Sequence, residues 1–205
     1  MSNATIDFWF DYSSPYAYLA SERIEAIAAR NQRGVVWHPF LLGAVFRLTG
    51  SVPLVDVPMK GDYAWHDFDR SARQHGIGFR RPDTFPFASV AAARATLWLR
   101  DHPDPAMAAH TPALVHALYR RCYVDGVDIG APASVVEATG TLGLPRDEAE
   151  AALADPLVKA RLKQEVDTAL AGQVFGSPMI IVDGERFWGH DRLEQVDRWL
   201  DTGGW

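Results

Sequence analysis

The sequence predicts an α/β protein in which a large helical block separates two groups of short strands. Residues Thr5–Phe10 and Met179–Val182, near the two ends of the chain, have the aromatic and β-branched composition of strands. Between about Leu41 and Gly172 no convincing strand pattern occurs, and helical segments bounded by proline fill the stretch. The predicted order is therefore β-α-β, a helical block, and then α-β-β-α.

The first strand leads directly into a helix. Ser14 suits the N-cap position and Pro15 suits the first helical position, where a backbone N–H is not needed. Apolar residues recur at helical spacing as far as Ala28, and Gly34 then precedes a second predicted strand, Val35–Phe40. The connection is long enough for a parallel, right-handed crossover between the two strands.

A hairpin and a last helix end the pattern. Asp183-Gly184 is a preferred pair for a two-residue turn between the strands Met179–Val182 and Glu185–Trp188. Asp191 and Glu194 have the spacing of a capping box at the start of the final helix. The helices predicted inside the block and before the hairpin are Ser89–Arg100, Pro112–Tyr123, Ala133–Thr139, Asp147–Leu153 and Leu157–Leu170.

Composition excludes several classes of function. The 205 residues carry a formal net charge of −6 without a dense Lys/Arg block, which argues against a nucleic-acid partner. Residues 1–5 are polar, unlike a signal peptide, and no apolar run of about 18 residues predicts a membrane span. Cys122 is the only cysteine and lies on an apolar helical face, so we expect a reducing, cytoplasmic setting. The seven histidines form no metal-binding spacing, and no metal is predicted.

Ser14 is the first candidate for chemistry. In its plain interpretation the side chain only caps the helix. In the functional interpretation, the free N–H groups and the dipole at the helix start favour an anion, and the hydroxyl holds a sulfur from another molecule as a thiolate. The two roles are compatible. Because the chain has no C-x-x-C pair at this junction, the sequence argues against disulfide exchange and favours use of a thiol cofactor.

The predicted element order resembles a thioredoxin-like fold with a large α-helical insertion. That resemblance implies a cis peptide bond before Pro178, which would turn the backbone of Ser177 outward to pair with a bound peptide. Without it, Pro178 is a trans proline that starts an edge strand. The corresponding division is a discontinuous thioredoxin-like domain, residues 1–40 and 173–205, an α-helical insertion domain, residues 41–156, and a linking helix, residues 157–172.

Three motifs occur in order along the chain: Asp11-Tyr12-x-Ser14-Pro15-Tyr16-x-Tyr18-Leu19-Ala20, Phe175-Gly176-Ser177-Pro178 and Trp188-Gly189-x-Asp191-Arg192-Leu193. Together with Pro58-x-Lys60-x-x-Tyr63-x-x-x-Asp67 in the insertion, they resemble the 2-hydroxychromene-2-carboxylate isomerase family. That family is closely related to the kappa-class glutathione transferases. The resemblance covers essentially the whole chain.

The resemblance implies glutathione as the cofactor and assigns residues to it. Ser14 would contact the glutathione sulfur, and Ser177, next to Pro178, would pair with the cysteinyl backbone. Asp191 would hold the γ-glutamyl end; from the residues alone, it either caps the last helix or receives a ligand's ammonium group. Lys60 would reach the glycyl carboxylate or an acidic substrate, unless it is a solvated surface residue.

Three positions depart from the family pattern. His190 stands where relatives often carry Asn or Ser, so that one cofactor-binding contact is either lost or made pH-sensitive. Ser51 and Ala88 stand near places where relatives carry Asn, which puts the substrate in doubt more than glutathione. A set of aromatic residues in the insertion either packs in the core or lines an aromatic substrate pocket: Tyr63, Trp65, Phe68, Phe85 and Phe87.

The predicted function is a glutathione-dependent cis–trans isomerase that acts on a small aromatic hydroxy or oxo acid, with Ser14 as the catalytic residue. One alternative is a kappa-type glutathione transferase, which would leave glutathione attached to an electrophile. Another is a thioredoxin-like module that binds glutathione or peptides without catalysis. The family resemblance alone implies a homodimer.

Overall fold

The computed structural model describes residues 5–205, so expectations about residues 1–4 lie outside it. Within that range a sheet of four strands has the spatial order β2-β1-β3-β4. The strands are β1 (Thr5–Phe10), β2 (Gly34–Pro39), β3 (Met179–Val182) and β4 (Glu185–Trp188). β1 runs parallel to β2 and antiparallel to β3, and β3 pairs antiparallel with β4. The predicted parallel crossover and the hairpin are both confirmed.

Strand β1, one of the two inner strands, is covered on both faces, which explains why its sequence is almost continuously apolar. Phe8 and Phe10 point into the main core of the protein. Trp9 points to the opposite face, where it packs with Phe40 and Met179 in a second apolar cluster. β1 therefore holds the middle of the molecule, and its carboxyl end delivers the chain into the site described below.

Helix α1 (Pro15–Arg30) connects β1 to β2. The other helices in the described part of the chain are α2 (Leu42–Thr49), α3 (Lys60–His75), α4 (Val90–Arg100), α5 (Pro105–Ala108), α6 (Thr111–Tyr123), α7 (Pro132–Thr141), α8 (Arg146–Ala154), α9 (Pro156–Ala171) and α10 (Leu193–Thr202). Short 3₁₀ turns occupy Leu54–Asp56 and His190–Arg192. The helices predicted before the hairpin are confirmed with small shifts at their ends.

Three helices were not delimited by the sequence pattern: α2, α3 and α5. Helix α3 is largely polar, and Met59 before it provides no side-chain cap, so that neither a broad apolar stripe nor a start signal is visible. Helix α2 buries only Val45, and Leu41 before it likewise gives no capping hydrogen bond. Tertiary contacts order both helices: Val45 of α2 packs in the cluster of Trp9 and Met179, and α3 contacts α1 and the 3₁₀ turn Leu54–Asp56.

The hairpin turn and the last helix differ in how well local sequence predicts them. Asp183 and Gly184 have φ values of 52° and 87°, the two positive angles of a type I′ turn, as predicted. The predicted capping box of Asp191 and Glu194 is wrong. The 3₁₀ turn places Asp191 before the start of α10, and the Glu194 carboxylate accepts a hydrogen bond from Arg23 instead.

One apolar core serves the sheet and most of the insertion. It joins Phe8 and Phe10 of β1 to Leu99 of α4 and Leu118 of α6. Cys122 is buried in the same core, and burial raises the pKa of its thiol, in keeping with a packing role. The boundaries of the thioredoxin-like and insertion domains stay a prediction. Among the described helices, none is both long enough and apolar enough to span a membrane.

Candidate functional site

The site is built on the junction between β1 and α1. Ser14 is the N-cap of α1, and its Oγ accepts a hydrogen bond from the backbone N–H of Ala17 at 3.2 Å. Pro15 follows at the first helical position. Both local predictions are confirmed. The helix start therefore presents a hydroxyl that is 6% exposed among backbone N–H groups whose partial positive charge favours an anion.

Ser177 faces this helix start from the other half of the chain. The peptide bond between Ser177 and Pro178 is cis. The Ser14 hydroxyl donates to the backbone carbonyl of Ser177 at 2.7 Å, across 163 residues of sequence. The same carbonyl is thus turned toward the helix N-terminus, next to a hydroxyl that has one hydrogen to give. The predicted neighbours Ser14 and Ser177 are brought together.

Asp11 organises the loops around this pair. Its carboxylate is 3% exposed and accepts hydrogen bonds from the Ser13 N–H, the Ser89 hydroxyl and the Leu42 N–H, at 2.7 to 2.8 Å. Its backbone N–H donates to the Ser177 hydroxyl at 2.8 Å. The Asp11 carboxylate thereby ties together the turn before α1 and the starts of α2 and α4, and the Asp11 backbone N–H holds the loop that carries Ser177.

A cavity of about 1190 Å³ opens beside Ser14 and Ser177. One wall comes from α2 and the segment that follows it, and another comes from α3 and the turn before α10. Of the aromatic residues predicted to face either the core or a pocket, Tyr63, Phe68, Phe85 and Phe87 line the cavity. Trp65 packs edge-on against Phe68 and Phe85 from outside the lining.

Tyr16 and His190 stack in the wall nearest α10. Their ring centroids lie 4.8 Å apart with planes 8° from parallel. The Tyr16 hydroxyl donates to Asp67 at 2.7 Å, and burial together with this carboxylate raises the pKa of Tyr16. The phenol therefore stays protonated at neutral pH and holds α1 against α3.

His190 is 9% exposed and its Nδ1 is buried without a partner among the described residues. Burial lowers the pKa of the imidazole, assisted by the positive charge of Arg23, although Asp191 and Asp67 act in the opposite direction. An unprotonated Nδ1 avoids burying an N–H without an acceptor, so we assign the neutral tautomer with its proton on Nε2. His190 then offers the cavity one uncharged N–H donor.

The residues around His190 form a charge-balanced end of the cavity. Asp191 is exposed and pairs with Arg192 at 2.9 Å, and Glu194 pairs with Arg23. Gly189, whose φ is +107°, permits the turn: a Cβ at this position would lie 2.4 Å from the Asp191 carboxylate. Opposite charges thus alternate at this wall, an arrangement that suits a zwitterionic ligand group.

Other predicted residues lie elsewhere. Lys60 is exposed at the first residue of α3 and does not line the cavity. Ser51 also lies outside the lining, whereas Ala88 is part of it. Sequence reasoning assigned no role to Asp11, although its position two residues before Ser13, directly after a strand, is typical of an Asx turn. It also missed the four arginines of the wall: Arg23, Arg47, Arg70 and Arg192.

Comparison with known proteins places this geometry in context. The sequence model of the DSBA-like thioredoxin domain matches residues 5–201. The 2-hydroxychromene-2-carboxylate isomerase of Sphingobium xenophagum is 28% identical over 207 residues, which cover 96% of this chain and 97% of the relative. Glutathione S-transferase kappa 1 of Caenorhabditis elegans is 25% identical over 205 residues, with coverages of 93% and 88%. The predicted family resemblance is confirmed.

Solved structures agree with the fold. A structure of a 2-hydroxychromene-2-carboxylate isomerase superposes with a TM-score of 0.84 at 24% identity, covering 96% of this chain and 94% of that protein. The predicted α/β thioredoxin-like fold with a helical insertion between its strands is thereby confirmed. At this identity the likeness concerns the fold, and the chemistry has to be argued from the residues of the cavity.

Proposed function

Because this chain belongs to the DSBA-like thioredoxin domain family and has serine at the helix start, we propose that it is a glutathione-dependent cis–trans isomerase. The reaction type is that of 2-hydroxychromene-2-carboxylate isomerase, the name of relatives that match almost the whole length of this chain. The observation that carries the proposal is the contact between the Ser14 hydroxyl and the Ser177 carbonyl at the N-terminus of α1.

The residues of the site fit a thiol that also carries an amide. Ser14 has an O–H to donate to a sulfur anion, and the helix N-terminus adds favourable N–H groups. The Ser177 carbonyl is the matching acceptor for a ligand N–H. Binding such a ligand exchanges partners: the hydroxyl turns from the carbonyl to the sulfur, and the carbonyl takes the ligand's N–H. No hydrogen-bonding group loses its partner in this exchange.

The far end of the ligand fits the wall around His190. The neutral Nε2–H that we assign to His190 donates to a carboxylate, and Asp191 accepts from an ammonium group. A γ-glutamyl group presents both. Of the two outcomes expected for His190, the unpartnered Nδ1 and the pKa lowered by burial support a retained contact made by the neutral imidazole.

Glutathione, when bound, supplies a thiolate whose reversible addition to a conjugated double bond allows rotation about that bond before the thiol is lost again. Ser14 stabilises the sulfur as an anion each time it is released. Asp11 fixes both loops: its carboxylate accepts from the Ser13 N–H beside Ser14, and its backbone N–H donates to the Ser177 hydroxyl. The cavity exceeds the usual volume of small-molecule pockets, about 300–1,000 Å³, so a second aromatic molecule has room beside the cofactor.

The test compares the wild type with the variant Ser14→Ala. Calorimetric titration measures the affinity of each protein for glutathione and for S-methylglutathione. For the wild type we expect glutathione to bind about tenfold more tightly, because only the free thiol becomes an anion that the hydroxyl can stabilise. The alanine variant should lose this preference and the isomerisation of 2-hydroxychromene-2-carboxylate, whereas Ser134→Ala, outside the cavity, should keep both. Equal wild-type affinity for the two compounds contradicts the proposal.

The kappa-class relative keeps one alternative open, a transferase that conjugates glutathione to electrophiles. The mass of the product separates the two activities. An isomerase returns the thiol and yields a product with the mass of the substrate, whereas a transferase adds glutathione. A module that only binds its ligand shows neither product. The cytoplasmic location and the homodimer stay predictions of the family resemblance.

A further inference from the structure

The four arginines of the cavity wall differ in their charge balance. Arg23 pairs with Glu194, Arg70 with Asp67, and Arg192 with Asp191. Arg47, on α2, has no ion-pair or hydrogen-bond partner among residues 5–205. It is therefore the one uncompensated arginine in the described wall, and it lies on α2, whereas the three balanced pairs are carried by α1, α3 and the segment around the start of α10.

Arg47 is exposed, and the part of the cavity wall that α2 and the segment after it provide is otherwise mostly apolar. On α2 the lining includes Leu42 and Phe46, and Pro53 and Leu54 continue it in the segment that follows. Phe87 belongs to the same lining. An arginine without a carboxylate partner keeps its guanidinium N–H groups free to form charge-assisted hydrogen bonds with an anion. An apolar body with one anionic end is the ligand class that such a wall fits.

We propose that Arg47 is the specificity-determining residue for the substrate that binds beside glutathione. It binds the carboxylate of an aromatic acid whose ring lies along the apolar wall of α2. The inference rests on the proposed function for the identity of the reaction. It assigns the substrate's acid end to the α2 side of the cavity, away from Asp67, Asp191 and Glu194. It also replaces Lys60, which lies outside the lining, as the residue for the acid.

The position of α2 relative to Ser14 and Ser177 supports this assignment. The Leu42 N–H at the start of α2 donates to the Asp11 carboxylate at 2.7 Å, and Asp11 also holds the turn before Ser14. Helix α2 is therefore fixed to the loop that presents the hydroxyl. A substrate bound along α2 remains in the same cavity as Ser14 and Ser177.

The experiment measures binding, so its outcome does not depend on turnover. Calorimetry with trans-cinnamate and with its uncharged methyl ester is performed on the whole protein in the presence of S-methylglutathione. The wild type should bind the acid about tenfold more tightly than the ester, the effect of one charge-assisted hydrogen bond. Arg47→Gln should abolish this preference, and Arg47→Lys should retain part of it.

Arg73→Gln is the matched control, since Arg73 pairs with Asp69 on the outer side of α3 and does not line the cavity. Its preference for the acid should equal that of the wild type. An acid preference that persists in Arg47→Gln, or that is absent from the wild type, overturns the inference. If Ser14→Ala has no effect on thiol binding while the Arg47 result holds, the proposed cofactor role fails and the anion site stands.

Discussion

Two buried carboxylates lie in different parts of the molecule, and different kinds of hydrogen-bond donor stabilise them. Asp11, at the cavity, accepts only from uncharged donors. Glu165, on α9, is equally buried but contacts cations: His38 at 2.6 Å, Arg100 at 2.7 Å and Arg161 at 2.7 Å. Asp11 lines the cavity and Glu165 does not.

The difference shows that site geometry and the docking of the insertion depend on separate groups. The partners of Glu165 belong to β2, α4 and α9, so this network fastens α4 of the insertion and the linking helix α9 to the sheet. Burial alone would raise the pKa of Glu165, but its hydrogen bonds with His38 and Arg100 outweigh that effect and lower the pKa to about 2. The donors to Asp11 are loop and helix-start groups, which fix positions without bringing a fixed positive charge to the site.

The largest effect is expected from Glu165→Gln. The substitution removes the buried counter-charge of Arg100 and His38, which keep only the more exposed carboxylates of Asp101 and Asp7. Loss of one partner from a buried ion pair costs about 3–5 kcal/mol. Urea unfolding measures the change in the free energy of unfolding. Asp167→Asn, an exposed residue on the same helix that pairs with Lys163, is the control and should change stability little. Equal losses in the two variants would contradict the role of the network.

A smaller effect should appear in acid. Because the folded-state pKa of Glu165 is lowered from 4.5 to about 2, its contribution to stability is present above pH 4.5 and lost as the pH falls toward 2. The shift corresponds to about 3 kcal/mol at most. The stability difference between the wild type and Glu165→Gln should therefore narrow over this interval in unfolding measurements. A difference that stays constant from pH 5 to pH 2 assigns the stabilisation to packing.

Of the three predicted effects on stability, that of Asp11→Asn should be the smallest. This substitution should affect ligand binding more than stability. In asparagine an NH₂ group replaces one carboxylate oxygen, so it faces one of the three groups that donate hydrogen bonds to Asp11. Loss of one such hydrogen bond costs about 2 kcal/mol. Because the loop also carries Ser14, calorimetry should show weaker glutathione binding, whereas Glu165→Gln should retain wild-type affinity. Asp62→Asn, exposed on α3, is the control. Unchanged affinity in Asp11→Asn would separate the carboxylate from the site.

Local features were predictable from the sequence because they depend on adjacent residues. Ser14-Pro15 specifies a helix start, and Asp183-Gly184 specifies a hairpin turn, whatever the rest of the chain does. The capping box of Asp191 and Glu194 failed because Arg23, 171 residues from Glu194, takes its carboxylate. A competitor so distant in sequence leaves no local signal.

Each motif quoted from the sequence contributes residues to the cavity wall, although not every predicted site residue lies in it. Ser14, Ser177, His190 and Asp191 all line the cavity, but Lys60 does not. The role of Arg47 depends on which arginines find partners. Arg70 and Arg192 pair with residues near them in sequence, whereas the pairing of Arg23 with Glu194 is a tertiary contact. Residue type alone does not distinguish a balanced arginine from an uncompensated one.

Under the proposed function, the resting contact between Ser14 and Ser177 also determines which thiols can bind. A small thiol such as 2-mercaptoethanol brings a sulfur but no amide, so capture of the Ser14 hydroxyl would strand the Ser177 carbonyl without a donor. A peptide thiol satisfies both atoms at once. The internal hydrogen bond between these two cavity residues thus discriminates against simple mercaptans and favours peptide thiols.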